Sequence, residues 1–116
     1  MPRRKRQITY TDSAPAAVEG AVARLGANIA TARLRRRLRQ QDLAEKAGIT
    51  RATLAAIEQG RLGTGIGAYV SVLWAMGLHA DVSRLAEPER DMEGVTLEAA
   101  RRPKRARLLK AFDDDF

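Results

Sequence analysis

The stretch from Gln40 to Gly60 constrains the fold more tightly than any other part of the chain. It carries two apolar stripes at helical spacing, one on each side of Gly48, and each is too short to support an isolated helix. Leu43, Ala44 and Ala47 fall on one face of the first; Leu54 and Ile57 lie one turn apart on the second. Thr50 is positioned to cap the second helix, its hydroxyl accepting an amide hydrogen from the first turn. Gly60 is positioned to close that helix in a left-handed conformation. A helix, a tight glycine turn and a second helix with small or polar outer residues form a device that sets a helix end in the DNA major groove.

The flanking sequence supplies the helices on which such a pair would pack. A first helix is predicted from Pro15 or Ala16, with Ser13 or Ala14 at its entry, to about Arg37, because Val18, Val22, Leu25, Ile29 and Ala32 follow the helical period. Gly20 and Gly26 each weaken it by ~1 kcal/mol relative to alanine and mark where it would break. The second and third helices are expected over about 40–47 and 51–59. A glycine-rich connection, Gly60 to Gly65, leads to a fourth, about Ile66 to Met76, with Ile66, Tyr69, Val70, Leu73 and Trp74 on its stripe and Gly77 at its end. Tyr69 and Trp74 are expected as core anchors rather than base-stacking groups. Asp81 to Leu85 is expected to form a short fifth helix. The fold class is therefore all-α: a compact five-helix domain over residues 16–86, a flexible basic arm over 1–15 and a tail over 87–116.

The tail differs in character. Pro88 opens an acidic stretch, Gly94 punctuates it, and Val95 to Arg101 reads as a short helix or a strand that must stop before Pro103. It carries too little apolar sequence to fold alone, which leaves a partner-binding or a disordered segment. The net charge of +7 is unevenly spread: residues 1–80 hold 13 basic and 5 acidic side chains, residues 81–116 hold 8 and 9. A basic folded part with a charge-balanced tail fits a polyanion-binding domain joined to a separate interaction segment.

Several chemistries are excluded as expectations. The chain has no cysteine, so it has neither disulfide nor thiolate metal site, which suits a reducing cytoplasm. His79 is the single histidine and cannot build a metal site by itself. The Gly60–Gly67 segment lacks the lysine of a phosphate-cradling loop and follows a helix rather than a strand. Asp113, Asp114 and Asp115 read as solvated carboxylates. No catalytic residue, metal or cofactor is expected, no apolar run spans a membrane, and the basic start is no secretory signal.

From about Leu25 to Leu78 the chain resembles the lambda-repressor-like (XRE-type) helix-turn-helix proteins. The resemblance rests on Leu25-Gly26, Ile29 and Arg33 in the first helix, Gln40, Leu43-Ala44 and Ala47-Gly48-Ile49-Thr50 across the turn, and Leu54, Ile57-Glu58 and Gly60. It implies that Arg51, Ala52, Thr53 and Ala55 face base edges, consistent with their place opposite Leu54 and Ile57. Arg51 suits a guanine and the Ala52 and Thr53 methyls suit thymine. It implies backbone contacts from Gln40, Gln41 and Thr50, with Arg39, Arg36 and Arg61 as phosphate-binding cations, and a structural ion pair between Arg33 and Glu58. Where the family has a Ser or Thr cap ahead of the second helix, this chain has Arg39. The arm residues Arg3, Arg4, Lys5 and Arg6 either enter a minor groove or remain solvated.

The tail is similar to the C-termini of HipB-type antitoxins in Asp91, Gly94, Leu97-Glu98, the run Arg101 to Arg105 and the closing Asp114-Asp115-Phe116. That resemblance implies a HipA-like kinase toxin as partner and repression of the chain's own operon; the alternative is a stand-alone XRE-type regulator. Either way the resemblance implies a cytoplasmic homodimer on a palindromic duplex operator, since one reading helix covers only a few base pairs. The fifth helix, and strand pairing through Val95 to Leu97, are the two candidate dimer surfaces.

Overall fold

The structure is a computed structural model that describes residues 13–101. Every regular element among these residues is helical, as the sequence predicts. In order they are α1 (Ala16–Arg35), α2 (Gln40–Ala47), α3 (Arg51–Glu58), α4 (Ile66–Ala75), a 3₁₀ segment His79–Arg84, a 3₁₀ turn Pro88–Arg90 and α5 (Met92–Arg101). Among the described residues no helix is long and apolar enough to cross a membrane. The chain divides into two compact units, one up to Val82 and one from Ser83.

The first unit is built around a small core. Ile29 from α1, Leu43 and Ala44 from α2, Leu54 and Ile57 from α3, and Tyr69, Val72 and Met76 around α4 are all buried. Val22, Ala32, Leu38, Ala47, Ile49 and Leu73 pack at its edge. Burying these side chains contributes roughly 1.5–3 kcal/mol for each large aliphatic one, and no single helix has enough of them to fold alone.

α1 runs without a break through both of its glycines. Its first hydrogen bonds are accepted by the Pro15 carbonyl, from Val18 N–H at 3.0 Å and Glu19 N–H at 3.1 Å, so the entry is made by proline rather than by Ser13. Gly26 is buried because backbone passes directly over it. A Cβ there would strike the Ile57 carbonyl oxygen and stand 3.0 Å from that of Glu58. Gly60, at φ +72°, meets the same crossing from the other side: its Cβ would lie 2.6 Å from Ala23 Cα. The helix tolerates the glycine because the crossing requires it. Two residues past the end of α1, Arg37 is held at φ +54°, and Leu38 N–H turns back to the Arg33 carbonyl at 3.2 Å.

α4 departs from its expected orientation. Tyr69, Val72 and Met76 point inward, whereas Trp74 is 59% and Ile66 71% exposed. At ~100° per residue, Trp74 lies about 200° on from Val72, so one cannot be buried with the other. The helix is apolar on both sides, and the Ile66–Val70–Trp74 stripe is the outer one. Tyr69 anchors the inner side and donates to the Arg61 carbonyl at 3.5 Å, and burial raises its phenol above the usual 10.0.

In the second unit, Asp91 caps α5: its Oδ1 accepts Gly94 N–H at 3.0 Å and its carbonyl accepts Val95 N–H at 3.0 Å. A Cβ at Gly94 would drive into the Asp91 carboxylate. Val95 to Leu97 lie inside this helix, so the strand alternative, and dimerisation by strand pairing there, is overturned by a capped helical start. Leu85, Met92, Val95 and Leu97 are all exposed, and no residue of α5 is buried. The basic arm and the residues from Arg102 to Phe116 lie outside the described residues.

The crossing generates a paired expectation. Gly26→Ala destabilises by about 1–3 kcal/mol because backbone must move apart, while Gly20→Ala, in open space, stabilises by up to ~1 kcal/mol through helix propensity. Urea unfolding of both variants checks it; equal effects would show that the crossing carries no strain.

Candidate nucleic-acid interface

The turn between α2 and α3 is set by local chemistry. Gly48 takes φ +72°, which lets Ile49 N–H return to the Ala44 carbonyl at 3.0 Å and finish α2. Thr50 is extended, and its hydroxyl accepts Thr53 N–H at 3.1 Å while sharing a 2.9 Å hydrogen bond with the Thr53 hydroxyl. One residue therefore satisfies an orphan amide of α3 and fixes the Thr53 side chain.

α3 divides into two sides. Leu54 and Ile57 are completely buried; Arg51 and Ala52 are exposed; Thr53, Ala55 and Ala56 are half-buried. In steps of ~100°, Ala52, Ala55, Ala56 and Gln59 centre the outer side, with Arg51 and Thr53 on its flanks. Ala56 and the exposed Gln59 were not among the residues expected at the bases. Their signal was the same period that selected Ala52: Gln59 follows it by seven residues. Small side chains on this side let the helix backbone approach closely, and Arg51 has no ion-pair partner among the described residues.

Behind α3 stands a polar hub. Arg33 Nε donates to Glu58 Oε2 at 2.8 Å and Nη2 to Oε1 at 2.9 Å, while Nη1 donates to the Leu38 carbonyl at 2.9 Å. Gln40 Nε2 donates to Glu58 Oε1 at 3.2 Å. The carboxylate of Glu58 thus gathers α1, the start of α2 and the end of α3 at one point, with side chains only 12% and 7% exposed for Arg33 and Glu58. The bonds to Glu58 hold the Arg33 guanidinium above its ordinary pKa despite desolvation. Gln40 stands at the start of α2 as expected, and its amide faces this hub.

The remaining polar residues lie around the reading pair. No side chain at Arg39 caps the first turn of α2; instead Asp42 reaches back, its Oδ2 accepting Arg39 N–H at 3.0 Å. The Arg39 guanidinium also binds this carboxylate, at 3.1 Å from Nε and 3.0 Å from Nη2, and these bonds hold Asp42 below its ordinary pKa. Arg39 itself remains 83% exposed at the amino end of α2. Gln41 donates to Glu45 at 2.9 Å on the solvent side of the same helix. Arg61 is exposed just past Gly60. Arg36 stands apart: Nη1 donates to the Ala32 carbonyl at 2.9 Å and Nη2 to that of Met76 at 3.4 Å, so its charge serves helix carboxyl ends. Arg3, Arg4, Lys5 and Arg6 lie outside the described residues. Among the described residues no cluster of three His, Cys, Asp or Glu side chains is placed to hold a metal.

Glu58→Ala leaves Arg33 Nε and Nη2 and the Gln40 amide without their acceptor and costs about 1–3 kcal/mol, as for part-buried donors that lose a charged partner. Pairing it with Arg33→Met recovers part of that loss; a double-variant cycle by thermal unfolding measures the coupling.

No curated protein and no solved structure matches the chain. A family model described as a helix-turn-helix domain matches residues 24–87, which is more than half of the chain and contains α2, the Gly48 turn, α3 and the hub. The chain belongs to the family of DNA-binding helix-turn-helix domains.

Proposed function

We propose that the protein is a sequence-specific repressor of the XRE type, acting as a homodimer on a palindromic operator and serving as the HipB-like antitoxin of a HipA-like kinase. The observation that carries the DNA part is the sidedness of α3: Leu54 and Ile57 fully buried, Arg51 and Ala52 open to solvent. In this reading Arg51 bonds a guanine edge through two parallel N–H groups, and Ala52, Ala55 and the Thr53 methyl pack on thymine methyls. Thr50, Gln41, Arg39 and Arg61 take the sugar-phosphate backbone, with Gln40 bracing α3 through Glu58. Arg36 contributes only to the general positive field. The arm residues Arg3 to Arg6 add phosphate or minor-groove contacts on either side.

Arg51→Ala weakens operator binding by about 1–3 kcal/mol while leaving affinity for random duplex nearly unchanged. Titration of both duplexes at one fixed salt concentration reads this directly. An equal loss on both would make Arg51 a phosphate contact and remove the specificity assignment.

The antitoxin part draws support from the second unit, where Leu85, Met92, Val95 and Leu97 are exposed on a segment rich in acidic residues. Such a surface suits a partner better than it suits solvent. Deleting Glu87 to Phe116 leaves operator binding largely intact and abolishes capture of a HipA-type kinase encoded beside the gene. Retained capture, or equal loss of both activities, overturns this division of labour. If the full chain captures no kinase, the reading reduces to a stand-alone XRE-type regulator.

A further inference from the structure

Residues 62–78 contain no charged side chain, although residues 1–80 as a whole carry eight more basic than acidic groups. Each of α1, α2, α3 and α5 bears charge; α4 bears none. Its inner side is committed to the core through Tyr69, Val72 and Met76. Its outer side presents Ile66, Trp74 and, just beyond its end, Leu78, at 71%, 59% and 40% exposure, with Val70 half-buried between them. Gly67 lies on that outer side seven residues before Trp74, and nothing stands within 4 Å of where its Cβ would be.

We infer that this face is where a second copy of the chain docks, the two α4 helices packing antiparallel about a two-fold axis near Val70 and Ser71. Two copies of one basic domain repel each other over most of their surfaces, and this is the exposed helix face on which like charges do not meet. A two-fold contact must be complementary to itself, residue i meeting j and j meeting i. A large indole and an open glycine two turns apart satisfy that condition: Trp74 of each copy lies over Gly67 of the other. The exposed apolar side chains amount to about 400 Å² per copy, the size of a functional surface patch and near half of what one partner contributes to a standard interface. The area fits a dimer that dissociates on dilution rather than an obligate one.

The inference deepens the reading that two copies act together on an operator and rests on it for its purpose. Its test uses no DNA, so failure here and failure of operator recognition are separate results. Trp74 is the single tryptophan, so its emission reports this face alone. Sedimentation equilibrium of the full chain, from low micromolar to several hundred micromolar, should show the mass rising from 12.7 kDa towards twice that value. Trp74 emission should move to shorter wavelength over the same range. Gly67→Gln and Trp74→Gln should each raise the concentration needed for dimerisation by ~10-fold or more, with helical circular dichroism retained. Gly67→Gln keeps the test decisive if loss of the indole harms folding, because its side chain enters empty space. A chain that stays monomeric with fully solvated Trp74 emission overturns the inference and assigns the face to a different partner. A dimer that both variants leave unchanged overturns it in favour of another face.

Discussion

The carboxylate of Glu58 is the point on which the arrangement of the first unit depends. α3 has only two fully buried side chains, too few to fix its direction on hydrophobic packing alone. Its carboxyl end is fixed instead by Arg33 from α1 and Gln40 from α2, and by the backbone contact that Gly26 and Gly60 permit. The hub and the glycine crossing are adjacent in sequence at 57–60, so one turn of chain sets both the distance and the rotation of α3 against α1. Its amino end is fixed separately, by the Gly48 turn and the Thr50 cap. A short helix held at both ends by polar and steric constraints has its outer side free to carry small residues, which is what close approach to another surface requires.

How far the sequence reveals this differs from element to element. The α2–turn–α3 stretch is legible because three independent signals coincide there: apolar spacing, a left-handed glycine and a threonine cap. The continuity of α1 through Gly26 is not legible, since a glycine that weakens a helix and a glycine that admits a crossing backbone are the same letter. α4 is legible as a helix but not in its orientation. With apolar residues on both sides, periodicity cannot choose between the Trp74 side and the Val72 side, and only the positions of α2 and α3 decide. The polar closure at the start of α2 escapes a search for Ser or Thr because Asp42 makes it from inside the helix, binding both the amide and the guanidinium of Arg39. Gln40 escapes because its partner lies eighteen positions away. On α3 the period places Ala56 and Gln59 on the outer side together with Ala52 and Ala55.

Charge and hydrophobicity are distributed in complementary ways over this small chain. Cations crowd the carboxyl end of α1, where the helix dipole offsets part of their charge, and the amino ends of α2 and α3, where the dipoles add to it. Some of that charge is internal business: Arg33 belongs to the hub and Arg36 to helix carboxyl ends. Arg51, Arg39 and Arg61 remain at the surface. The acidic residues that follow Asp81 accompany exposed apolar groups in the second unit. A protein of this size thus separates a cationic helical surface, an uncharged helix and an acidic helical segment along its sequence.

Tyr69 sets a boundary of another kind. Its phenol joins α4 to the chain leaving α3, and burial raises its ionisation above the ordinary value of 10.0. The folded protein therefore holds this proton more tightly than the unfolded chain does. What Tyr69 contributes is complete below pH 10 and drains away as alkali carries the solution through the higher, folded value. An anionic oxygen facing the Arg61 carbonyl loses its hydrogen bond and gains repulsion, so alkali loosens the join between α4 and the chain leaving α3.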